Sequence, residues 1–546
     1  PAASLDNSGG KLTSDARLTA RIVGQLLNLT GQLTAGANLQ LAAASLDNSA
    51  KGSLYAKDHL QLSVSGGLNN AQGTLNSDGT LALTAGQVDN SAGGRITSQQ
   101  QLTASVTGLD QHGDGRLYSQ AGVSLDLNHG YLNNQGGLIH APGALLLSNL
   151  ASVDNQGGEI SSTQALTFTA DNLDNRRGKL LSEQGLVVRI SKALDNTKGL
   201  VSATGLDLRA NSLVNAEGAL KVRDGLAAYV ESALDNQQGE ILGTTTTLAG
   251  ASLDNSHGLI QGDKLLTLDH SGAVSNRNGR LVTGHALNLT AASLDNTHGT
   301  LTSDDTLNAL ISGQLLNQAG LFAASSQLQL TAASLDNQAK GRLTGKSDLS
   351  LAVGQFDNRG GSVVATQQLQ LNGTRLDNRD GGLVNSGKAM TLVIDTLDNR
   401  AGEVSSVTDL TLTGSRLDNS IGGRLLANGE MQLTLQRLDN QLKGIISGQR
   451  SISLNAAQLD NSGEGSLYAK RNLSVALSGD LSNQQGALRS DGGLSVHAAS
   501  LNNDRGRISS AAPLVLATTD AISNQKGELL SAVALTLTSA SLDNQG

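Results

Sequence analysis

"ASLDNSGG" occupies residues 3–10, and its phrase returns throughout the chain: "ASLDNSAKG" at 44–52, "ASLDNSHG" at 251–258, "ASLDNTHG" at 292–299, "ASLDNQAKG" at 333–341 and "SLDNQG" at 541–546. The Asn of the phrase is a landmark. It stands at Asn7, Asn28, Asn48, Asn70 and Asn90, is replaced once by Gln111, and continues from Asn134 to Asn544. From Asn7 to Asn544 are 537 residues in 26 intervals, a mean of about 20.7. Between Asn255 and Asn440 the intervals alternate 21 and 20, so two units make a super-repeat of 41 residues. A fixed period of this size is the signature of a stacked-repeat architecture.

Each unit has one grammar. A Gly follows the landmark by three or four residues, as at Gly10, Gly31, Gly52 and Gly73. Then comes a polar–aliphatic–polar–small run such as "KLTS" (11–14) or "RITS" (95–98), then alternation such as "LALTA" (81–85) or "LTLTS" (535–539). Alternation of period two is a strand signal. Asn-x-x-Gly is turn chemistry, with Gly or Asn able to adopt positive φ. One unit of 20–21 residues cannot bury its Leu residues alone, but stacked units can, each strand pairing in parallel with its copy above and below. The expected fold is all-β, a parallel β-helix of about 26 coils extending roughly 120 Å at the strand spacing. A leucine-rich repeat has a similar period, but it needs Leu-x-Leu-x-x-Asn-x-Leu and a convex side that this spacing does not provide.

The Asn residues of the phrase, among them Asn7, Asn48, Asn255, Asn296, Asn337, Asn419 and Asn544, are expected to form a buried structural ladder, amide on amide. The preceding aliphatic (Leu5, Leu46, Val88, Leu132, Val153) should point inward and the intervening Asp (Asp6, Asp47, Asp89, Asp154) outward.

Composition narrows the function. There are 65 Gly, no Cys, no Trp and 1% aromatics, with 38% hydrophobic and 16% charged residues, which fits neither an ordinary globular core nor disorder. The net charge is −9 with Lys and Arg scattered, so nucleic-acid binding is not indicated. The absence of Cys excludes disulfides and thiolate metal sites and suits an exported bacterial chain. No apolar run reaches the length of a membrane-spanning helix.

Catalytic, cofactor and metal sites are not expected. β-helix polysaccharide-degrading enzymes cluster carboxylates where the repeat is broken, whereas here Asp recurs once per coil. "GRLTGKS" (341–347) has only three residues between its glycines and no helix after it, so it is not a phosphate loop. His257 and His298 share a register two coils apart, too far to share a metal. The least regular stretch, 109–134, holds His112, Asp114, Tyr118, His129 and Tyr131, a weak candidate for a partner-contacting bulge against the alternative of a tolerated insertion. Tyr55, Tyr118 and Tyr468 share one position and are expected to face outward. "GSLYAK" occurs at both 52–57 and 465–470, as though blocks of coils had been duplicated.

The unit "LDNxxGxLxSxxxLxLxA", repeated across all 546 residues, resembles the haemagglutinin repeats of filamentous haemagglutinin and of contact-dependent growth inhibition effectors. The resemblance implies a right-handed parallel β-helix in a monomeric filament. It also implies two-partner secretion through an outer-membrane transporter and a place outside a Gram-negative cell, on its surface or secreted. The chain then reads as one continuous repeat segment, 1–546, without caps and cut from a longer filament. Its expected role is a stalk that projects a distal adhesin or toxin toward a receptor on a target cell, the receptor being bound by regions outside this segment. The alternative is that the sides of the rod adhere to host cells or biofilm matrix.

Overall fold

Alternating apolar and polar residues, interrupted by the Asn-to-Gly corner, fold into short strands and nothing else. The computed structural model describes residues 2–546, and among them every regular element is a strand. The contacts divide the chain into two units, Pro1–Ala273 and Val274–Gly546, each built of the same coil.

One coil of the first unit shows the plan. Its strands are Gln32–Ala35, Asn38–Ala43 and Ser45–Asp47. Each pairs in parallel with its counterpart one coil on: Leu33 with Leu54, Leu39 with Leu60, and Leu46 with Leu68. In the second unit the coil Arg424–Ala427, Met431–Thr434 and Arg437–Asp439 repeats the plan, with Leu425 on Ile446, Leu433 on Leu454 and Leu438 on Leu459. The second and third strands fuse in many coils, as in Leu145–Asp154, Gly185–Asp195 and Gly225–Asp235, or in Leu328–Asp336 of the second unit. Both units are therefore parallel β-solenoids, about 26 turns in all with a spacing of about 21 residues.

The core is a set of aliphatic columns. In the first strand Leu33, Leu54, Leu75, Ile96, Leu117 and Ile139 stack in register and are fully buried. The outward residues of the same strands, such as Thr34 and Tyr55, are only partly covered. Burying one such side chain contributes about 1.5–3 kcal/mol. The gain requires the neighbouring coils, because each inward side chain stacks on its counterparts above and below. Two Phe, Phe168 and Phe322, fit into these columns and are also fully buried.

Candidate functional site

The corner that closes each coil carries the recurrent polar residues. Asn48 is fully buried. Its Nδ2 donates to the Gly52 carbonyl at 3.1 Å, the Asn70 Oδ1 at 2.7 Å and the Thr74 carbonyl at 3.2 Å. Its Oδ1 accepts from Asn28 at 2.7 Å. In the first unit this ladder runs from Asn7, which donates to Asn28 at 2.7 Å, to Asn255, which accepts from Asn236 at 2.7 Å. In the second, Asn296 accepts from Asn276 and donates to Asn317, both at 2.8 Å, and Asn337 and Asn419 donate to Asn358 and Asn440 at 2.8 Å. Asn544 accepts from Asn524 at 2.6 Å and is itself exposed. The single break in the pattern is absorbed: Gln111 Oε1 accepts from Asn90 at 2.9 Å and its Nε2 donates to Asn134 at 3.4 Å.

Two features of the corner differ from the sequence reading. The recurring Gly is not generally the left-handed residue. That conformation falls on the residue before it, as at Thr30 (φ 53°), Gln72 (φ 58°), His257 (φ 59°), His298 (φ 55°) and Ala319 (φ 53°). Gly is required because a Cβ at Gly31 would stand 2.2 Å from the Asn7 carbonyl of the preceding coil and 2.4 Å from Asn28 Oδ1. At Gly320 the corresponding distances, to Asn296 O and Asn317 Oδ1, are 2.3 and 2.4 Å.

The second difference concerns Asp. It does not simply face solvent. Asp47, Asp89, Asp154 and Asp295 are half-buried, and each Oδ1 accepts the backbone N–H two residues on, at 2.9–3.0 Å. This Asx turn shapes the entry to the corner. Burial opposes ionisation of Asp295, but the hydrogen bonds of Thr297 and the charge of Arg277 hold its carboxyl below the ordinary value. The residue after the landmark then bridges coils: Gln237 Nε2 donates to Asp254 at 2.9 Å, and Gln338 to Asp357 at 2.9 Å. In coils 357–418 this residue is Arg. Arg359, Arg379 and Arg400 each clasp their own Asp (357, 377, 398) at 2.7–2.8 Å and reach the next one at 3.4–3.9 Å. The stacked Asp residues are thereby compensated at their own corner.

The five residues of the irregular stretch do not converge. His112 and Asp114 lie at the Asn corner, where His112 Nδ1 meets Asp110 at 2.7 Å; that hydrogen bond and the Asp110 charge raise the His112 pKa. Tyr118 is on the first strand, stacked on His140 of the next coil with ring centroids 5.8 Å apart. His129 (φ 63°) and Tyr131 flank a register shift in the long strand Val123–Asn133. The extra residues of this coil are therefore spent between its second and third strands, at a β-bulge. His257 and His298 both occupy the left-handed corner position, and no group of three or more metal-ligating side chains occurs among the described residues. Tyr55 and Tyr468, from the duplicated "GSLYAK", are half-buried and bond alike: the hydroxyls donate to Asp78 at 2.5 Å and to Asp491 at 2.6 Å.

Parallel coils closed by an internal Asn ladder define a β-solenoid whose recurrent polar residues serve the backbone. A family model described as haemagglutinin repeat matches residues 2–72, 55–125, 79–157, 114–197, 311–373, 372–434, 416–485 and 463–546. The chain belongs to the haemagglutinin-repeat family. The unmatched residues 198–310 have the same three-strand plan, from Leu200–Ala203 to Thr300–Ser303. Comparison with curated proteins and with solved structures gave no match.

Proposed function

We propose that this chain is a stalk segment of a secreted, cell-surface filament that holds a distal adhesin or toxin module away from the producing cell. The observation that carries the reading is how the repeated polar groups are used. Asn bonds to Asn, Asp bonds to its own turn, and the next Gln or Arg bonds to the Asp of the following coil. These groups hold coil on coil, so what the repetition supplies is length. The unbroken period from Asn7 to Asn544 supports reading the whole chain as one continuous stalk. Membership of the family supports export through an outer-membrane partner transporter and a receptor bound by other regions of the protein. Contacts confined to neighbouring coils suit such export, since the chain can fold one coil at a time as it emerges.

Removing whole coils from the full-length protein on its own cell tests the proposal. Deletion of residues 297–337, two coils, rejoins Asn296 to an Asn-x-x-x-Gly corner and should bring the distal end closer by roughly 10 Å. Export and distal activity should survive. Deletion of residues 297–326, about one and a half coils, leaves a fraction of a coil and should block folding. If the two-coil deletion abolished activity as completely as removal of the tip, the activity would reside in the side wall and the proposal would fall. Small-angle scattering of the segment checks the continuous stalk, which a maximum dimension well short of about 120 Å would contradict.

A further inference from the structure

In the first unit the turn between the second and third strands opens into a groove of about 420 Å³ that spans successive coils from His129 to Glu231. Its floor includes the small inward residues Ala170 and Ala210. Beside it Thr169, Arg189, Arg209 and Tyr229 stand in one register, about 4.8 Å apart from coil to coil.

The two arginines are not equivalent. Arg189 Nη1 donates to the Asp207 carbonyl at 2.8 Å, and its guanidinium pairs with the Asp207 carboxylate of the next coil. The residue in register one coil beyond Asp207 is Ala227. Arg209 therefore meets no carboxylate there, and its exposed guanidinium makes no ion pair or hydrogen bond. Asp171, also in the groove, is engaged by the Ser191 hydroxyl at 2.6 Å and by Lys192 at 3.2 Å. Tyr229 beside Arg209 is 51% exposed. Asn211 is exposed with its side-chain amide unengaged. Two guanidiniums one strand spacing apart, with only one compensated, attract an anion. An open ring next to the uncompensated one adds an apolar face with a polar rim.

We propose that this groove binds an acidic oligosaccharide through one carboxylate-bearing pyranose. The Tyr229 ring stacks on the sugar face, the Arg209 guanidinium takes the carboxylate through two parallel N–H donors, and Asn211 and Glu231 bond to ring hydroxyls. A guanidinium fork matches a planar carboxylate. Asp171 is compensated by Lys192, so Glu231, which makes no ion pair, sets the charge density of the ligand. Its carboxylate disfavours a densely sulfated chain, whereas a sugar with one charge is compensated by Arg209. The inference goes beyond the stalk reading: a stalk needs no lateral site, and the loss of either leaves the other standing.

Isothermal titration calorimetry of the 546-residue chain tests it with four probes: a hyaluronan hexasaccharide, sialyllactose, chitohexaose and a heparin hexasaccharide. Binding of the first or second is expected, and which of them binds tells whether the carboxylate is that of a uronic or a sialic acid. Arg209→Gln and Tyr229→Ala should each weaken it at least tenfold, and Arg342→Gln, an exposed arginine of the other unit, should leave it unchanged. Circular dichroism of the variants should match the parent, since both groove side chains are exposed. Four results overturn the proposal: no binding of either carboxylated probe; binding indifferent to both groove variants; chitohexaose bound as tightly as the acidic sugars; or heparin bound more tightly than they are.

Discussion

Asn296 is held from two sides in a place water does not reach. It accepts from Asn276 and donates to Asn317, Gly299 and Leu321. Asn296→Ala leaves several of these groups unpaired, at about 1–3 kcal/mol for each buried group left unsatisfied. Asn296→Gln should recover part of the loss, because Gln111 already spans a rung of the same ladder. Asp295→Ala removes the turn bond to Thr297 and the Arg277 contact, a loss of about 0.5–1.5 kcal/mol, more than a solvated residue would give. Leu294→Asp places a charge in the aliphatic column and should exceed about 4 kcal/mol. Denaturant unfolding of the variants should rank them Leu294, Asn296, Asp295. Adjacent Ala319 and Gly320 give a second test at this scale. Gly320→Ala forces a Cβ into two oxygens and should destabilise by several kcal/mol. Ala319→Gly relieves a left-handed alanine (φ 53°) and should be neutral or stabilising by up to about 1 kcal/mol. A single residue thus separates opposite responses to glycine. The sequence shows the recurring Gly but not this reason for it, because the atoms that exclude a side chain belong in part to the coil before.

At the scale of strands, the period-two alternation marks which residues enter the columns, and the structure buries them accordingly, from Leu33 and Leu39 to Leu494 and Leu501. What alternation cannot reveal is a polar residue in an inward slot. His270 occupies one, in register with Gly250, and neither ring nitrogen has a hydrogen-bond partner. Burial lowers its pKa to about 4, against a smaller opposing effect of Asp269. Its folded pKa lies below its unfolded one, so the unfolded chain takes up the proton first as pH falls. The contribution of this site is undiminished above about pH 6.5, declines between there and pH 4, and totals about 3 kcal/mol. His270→Leu should remove this part of the acid sensitivity. Hydrogen exchange of the coil at 259–270, followed from pH 7 to pH 4, checks it: protection should fall with pH in the parent and stay level in the variant. Equal loss in both would place the sensitivity elsewhere. The groove at Arg209 was equally hidden in the sequence. Asp207, which lies two residues before Arg209, pairs with Arg189 of the preceding coil, and only the register between coils reveals that Arg209 has no counterpart to it.

At the scale of the molecule, the strands of a coil within each unit pair with those of the coils before and after it, so stability is local and additive over neighbours rather than shared by one core. The period of the landmark made this legible from the sequence, since a repeat of 20–21 residues with no helical pattern leaves few ways to bury its Leu. The consequence is testable with the variants already named. In a globular domain, Leu294→Asp would unfold everything together and open cleavage sites throughout. In a solenoid it should open its own coil and those next to it, while distant coils keep their ladders and columns. Limited proteolysis of Leu294→Asp, read by mass spectrometry, should give new cuts within about a coil or two of residue 294. Fragments from regions such as 32–190 and 400–520 should remain as resistant as in the parent, and far-ultraviolet circular dichroism should keep most of its strand signal. Cleavage spread evenly over the chain would mean that the coils fold as one cooperative body. The nearest-neighbour account, and with it the argument for export one coil at a time, would then have to be given up.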